Sequence, residues 1–169
     1  MSSPVIVTVK CQVYLIRFLE KLYGDQPISF PRRHEFNSML DFFLSIPPSP
    51  FVEPDYGEMS LRIALPFFEN KDIRSYNYLS DLKQQKFEKR INEFFKIHFH
   101  SSMDKHINLG FVRKDSIELF MDEYNLPVDC IDLLDKDYAR YVTIRWKRRL
   151  FRNKKNSAVK HHQNDLQKL

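Results

Sequence analysis

Glycine is scarce in this 169-residue chain: there are three, Gly24, Gly57 and Gly110, far apart. A loop that cradles phosphate needs clustered glycines so that backbone N–H groups can approach closely. None of the patterns GxxxxGK[ST], GxGxxG or GxSxG occurs, which sets aside P-loop, dinucleotide-binding and nucleophile-elbow chemistry. Cysteine is equally sparse. Cys11 and Cys130 have no CxxC spacing, so neither a zinc knuckle nor a disulfide framework is expected, and both read as reduced thiols. Long apolar runs are missing, and residues 1–10 lack the basic and apolar regions of a secretory signal. The expectation is a soluble, cytoplasmic protein that is not secreted.

What is abundant is aromatic and aliphatic side chain. Hydrophobic residues make up 43% of the chain and phenylalanine alone contributes 15 residues, enough apolar area to offset chain entropy in one folded body. Charge is the second positive signal. Residues 1–136 carry 17 Lys/Arg and 20 Asp/Glu, a net −3, whereas residues 137–169 carry 10 and 2, a net +8. The whole positive excess therefore sits in the last fifth of the chain, where an anionic partner would find it.

Periodicity predicts a β-α-β-α-β order over residues 1–68. Residues 4–11 are β-branched and alternate in part, and Leu15, Phe18, Leu19 and Leu22 follow at helical spacing before Gly24. A short strand at 27–31 is expected next, then a helix with Phe36, Leu40, Phe43 and Leu44 on one face. The proline-rich 47–54 is a connection, and Leu61, Ile63 and Leu65 alternate as the third strand. From residue 78 the spacing is helical, through Leu79, Leu82, Phe87, Ile91, Phe94 and Phe95. Arg74–Leu82 reads as the start of that helix, capped by Ser75 or Asn77, or as a polar-aromatic binding surface. Asp115 with Glu118 resembles a capping box for a helix over 116–124, Pro127 breaks it, and Asp129 would cap a helix running to about 152. The fold class is α+β: a small N-terminal sheet of about three strands with helices, then a helical half (75–152) ending in a basic helix. Residues 1–152 form one domain, and 153–169 a polar basic tail expected to be disordered.

The ending YVTIRWKRRLFRNKK, residues 141–155, holds seven Lys/Arg among aromatic residues. At about 100° per residue, Leu134, Tyr138, Tyr141, Arg145, Arg148, Arg149 and Arg152 share one stripe. Val142, Trp146 and Leu150 flank it on one side, Ile144 and Phe151 on the other, so the helix is expected to dock an apolar flank with its guanidiniums outward. Like charges one turn apart repel, and an anionic partner reverses that cost. Arginine meets phosphate through a planar fork, so Arg145, Arg148, Arg149 and Arg152, flanked by Lys147, Lys154 and Lys155, are the candidate nucleic-acid contacts. Tyr138, Tyr141 and Trp146 are candidates for base stacking or for docking the helix. Asp129, Asp132, Asp135 and Asp137 crowd the N-terminal end of this helix, where a helix-turn-helix protein would read bases, so only the C-terminal half can approach nucleic acid. The expected partner is nucleic acid, DNA before RNA, with an acidic protein as the alternative.

His98-Phe99-His100 matches the His-hydrophobe-His element of rolling-circle initiators and relaxases, in which two histidines on one strand hold a divalent metal and a downstream tyrosine attacks a phosphodiester. Here the element continues a helical pattern and no carboxylate motif adjoins it. Metal-dependent nicking by His98/His100 with Tyr138 or Tyr141 is therefore the lowest of three expectations, and no catalytic residue, metal or cofactor is assigned. LRIALPF, YNYLS and DSIELFMDEYNLP…DYARY…WKRR, together with the β-α-β-α-β start, resemble small uncharacterised proteins of bacterial phages and mobile elements. That resemblance implies an accessory or regulatory role in DNA transactions. The alternative function is a non-enzymatic interaction or phage-assembly module.

Overall fold

The computed structural model describes residues 4–50 and 52–166, with the backbone alone from residue 150. It is an α+β body built on β1 (Ile6–Lys10), α1 (Val13–Tyr23), α2 (Glu35–Phe43), β2 (Ser60–Ala64), α3 (Asp81–Asn108), α4 (Arg113–Tyr124) and α5 (Ile131–Leu166). β1 and β2 pair antiparallel, with Val7 opposite Ile63 and Val9 opposite Leu61, and all four are buried. The strand expected at 27–31 is a single residue. Ile28 donates to Arg62 O and accepts from Ala64 N, both at 2.9 Å, as a lone parallel bridge beside β2.

α3 is the centre of the molecule. Gln84, Phe87, Ile91, Phe95, Phe99 and Met103 recur every three or four residues along its length, all buried, so one stripe of a helix roughly 42 Å long feeds the core. Against it lie α1 through Phe18, whose ring meets Phe95 edge-on at 5.1 Å, and α2 through Phe36, which meets Phe87 at 5.5 Å. α4 folds back on α3 through residues 109–112, where Gly110 takes a φ of 93° that a side chain would strain. Phe120 then packs on both Phe95 and Phe99.

Three helix starts differ from the sequence expectation. α3 begins at Asp81, because residues 72–76 form a turn held by Asp72, which accepts from Arg74 N and Ser75 Oγ, and Tyr78 bonds its backbone to Ser45. Neither Ser75 nor Asn77 caps the helix. α4 begins three residues early at Arg113, so Asp115 lies in its first turn near the positive end of the helix dipole instead of capping it. Asp129 sits inside a 3-10 turn, Val128–Cys130, that leads into α5.

Both cysteines are buried and free. Burial pushes the Cys11 thiol well above its usual range and the Cys130 thiol up to about 11, so both stay protonated and unreactive. No helix among the described residues is long and apolar enough to cross a membrane.

Candidate nucleic-acid interface

α5 docks on α3 through polar contacts whose residue numbers rise together on the two helices, so the helices run parallel. Asp137 accepts from Lys96 Nζ and, at 2.7 Å, from His100 Nε2. Burial alone would raise the Asp137 pKa, but the hydrogen bonds from Lys96 and His100 outweigh it and bring the carboxyl below its ordinary value. One turn further, Asp104 on α3 accepts from Tyr138 Oη at 3.2 Å, from Tyr141 Oη at 3.0 Å and from Arg145 Nη1. Burial first, then the Asp104 carboxylate, push both phenols above their usual range, so they remain neutral donors. The His100 ring lies flat on Tyr141, with centroids 4.0 Å apart and planes 14° apart.

This arrangement corrects the expected orientation of α5. The face that docks is the one bearing Leu134, Tyr138, Tyr141 and Arg145, the same stripe that carries the arginines, whereas Val142, Ile144 and Trp146 on the flanks are exposed. The reason is Asp104, 41 residues before Arg145, which draws the first arginine of the stripe and both tyrosines onto α3.

The predicted site residues therefore separate into three groups. Tyr138 is 6% exposed and Tyr141 is half-buried with one ring face covered by His100, so both are docking residues. Arg145 stays largely exposed but is paired with Asp104. Trp146, Lys147, Arg148 and Arg149 are exposed, and among the described residues no ion pair engages the three cations. Tyr141, Ile144, Arg145, Arg148 and Arg149 border an open hollow of about 550 Å³ along this helix. Arg152, Lys154 and Lys155 have side chains outside the described residues; the α5 backbone is helical through them and through most of the expected tail, to Leu166. Between Asp137 and Asp165 the chain has no acidic residue. The acidic end of α5 is partly neutralised within the body, since Asp135 pairs with Arg113 and Asp137 with Lys96.

The two histidines of the His-Phe-His element diverge. On a helix, positions two apart point about 200° from each other. His98 turns toward Phe18 and Phe94, with its Nδ1 3.1 Å from Phe94 O, while His100 turns toward Asp137 and Tyr141. They share no metal position, and among the described residues no three His, Cys, Asp or Glu side chains converge on one.

Sequence reasoning missed Asp104, Asp137 and Lys96 as the groups that set how α5 is presented. The visible signal was Lys96, His100 and Asp104 at helical spacing on α3, opposite in charge to parts of the α5 stripe, but a single sequence does not reveal which helices are neighbours. Comparison with protein-family models, with curated proteins and with solved structures finds no match.

Proposed function

We propose that the protein binds nucleic acid through the exposed part of α5, in an accessory or regulatory role in DNA transactions such as the resemblance to phage and mobile-element proteins implies. The observation that carries this reading is the stretch Val142–Arg149, a helix with every side chain exposed, whose Lys147, Arg148 and Arg149 face solvent with no acidic neighbour in sequence until Asp165. A helix end covered by nothing gains no stability from such a composition. Phosphate would relieve the repulsion between the cations, and guanidinium groups fit it two bonds at a time. The body then serves as a mount: the Asp104 and Asp137 contacts fix the helix on α3 and so fix the direction in which its cations are offered.

Contacts of this kind fall on the backbone and give affinity with little base information. Arg145 contributes less than the sequence alone suggests, because Asp104 offsets its charge. The test is fluorescence anisotropy of labelled single- and double-stranded DNA and RNA at low salt, with the wild type and an Arg148→Ala/Arg149→Ala variant. Binding by the wild type and a clear loss in the variant are expected. No binding by the wild type to any of the probes would overturn the reading.

A further inference from the structure

Resting on the nucleic-acid reading, we propose that the form of nucleic acid bound is single-stranded, with Trp146 as the platform on which an unpaired base stacks. Of the three aromatic residues named above as stacking candidates, two are engaged by the body. Tyr138 is buried, and Tyr141 has one ring face covered by His100 and its hydroxyl held by Asp104. Trp146 is 60% exposed on a charged helix, where an indole loses solvation freedom and gains no packing.

The placement of the ring relative to the cations decides what it fits. At about 100° per residue, Trp146 lies about 60° around the helix from Arg149 and about 40° from Val142. Arg149, three positions on, is its neighbour on the helix surface, and Val142, one turn back and 44% exposed, gives an apolar edge beside it. In a nucleotide the base and its phosphate are separated by the sugar. A base lying on Trp146 and Val142 thus sets a phosphate within reach of Arg149 or of Lys147 on the other side. In a duplex both faces of each base are covered by neighbouring pairs, so the indole would meet only sugar and phosphate edges and gain nothing from its π-face. An unpaired base presents that face directly, and stacking of this kind is tolerant of sequence. The same site would be poor for a polyanion without rings, which could use the cations and leave the indole in water.

Trp146 is the chain's only tryptophan, so intrinsic fluorescence reports this position alone. The full chain is titrated with oligothymidylate, oligouridylate, a duplex DNA hairpin and polyglutamate. Saturable quenching by one or both single strands, little change with the duplex, and none with polyglutamate are expected, the two single strands ranking DNA against RNA. Trp146→Ala should weaken single-strand binding roughly 5- to 150-fold while Trp146→Phe keeps most of it, and duplex binding should stay unchanged in both variants. Binding to single strand and duplex alike, with fluorescence and Trp146→Ala affinity unaltered, would overturn the stacking proposal and leave the phosphate reading standing. Quenching by polyglutamate alone would overturn it in favour of an acidic protein partner. Absence of binding to every nucleic acid would remove both.

Discussion

Between Ile131 and Tyr141, α5 sends Leu134 and Tyr138 into the body and holds Ile131, Asp137, Ala139 and Tyr141 half-buried; from Val142 to Arg149 every side chain of the same helix is exposed. The first half is positioned by packing and by two carboxylates on α3 and α5. The second half is helical through continuation of a nucleated helix, in which each added residue forms one more backbone bond. The contrast separates two uses of one element: residues before 142, together with Arg145, locate the helix, and the other residues from 142 to 149 have side chains available to something other than this chain. Charge follows the division in part. The acidic residues lie in the first half, where Asp135 and Asp137 are paired, and Lys147, Arg148 and Arg149, which no ion pair engages among the described residues, lie in the second.

The sharpest way to break this comparison is to cut the first half loose. Leu134 is fully buried, so Leu134→Ala should cost about 2–5 kcal/mol in denaturant unfolding, whereas Arg148→Ala should stay within about 0.5 kcal/mol of the wild type. Comparable losses for the two variants would mean that the second half also packs on the body. A smaller effect concerns Asp137. Its folded pKa is depressed, so its contribution to stability is fully present above the unfolded value of about 3.9 and is lost as pH falls through the lower folded value. Lys96 and His100 bond to it, and the Tyr14 phenol lies near enough to feel its charge. Wild-type stability should therefore drop on acidification below about pH 4 more steeply than that of Asp137→Asn, measured as denaturant midpoints across pH. Parallel curves would show that the carboxylate does not anchor the helix.

Much of the scaffold was legible in the sequence. Alternation found β1 and β2, the helical period found α1, α2 and Phe87, Ile91 and Phe95 of α3 but put the exposed Leu82 on the same face and left out Phe99 and Met103, and the charge asymmetry found the exposed part of α5. What could not be read depended on contacts distant in sequence. The strand expected at 27–31 reduces to Ile28, which alone pairs with β2. α4 starts at Arg113, which places Asp115 in its first turn and not at its cap. The face on which α5 docks was misread because periodicity gives stripes but not their destinations, and Asp104 selects the arginine stripe over the apolar flank. The same fact moves Tyr138 and Tyr141 from candidate stacking residues to anchors and leaves Trp146 exposed.

The central claim, that cations beyond residue 142 meet phosphates while Arg145 is held by the body, is tested most directly by the salt dependence of binding to a single-stranded oligonucleotide. Each phosphate neutralised contributes about −0.7 to the slope of log K against log salt for a single strand. Arg148→Ala/Arg149→Ala should flatten the wild-type slope by about 1.4, and Asp104→Asn, which releases Arg145, should steepen it by up to about 0.7. A slope that is the same in wild type and in both variants would contradict the account.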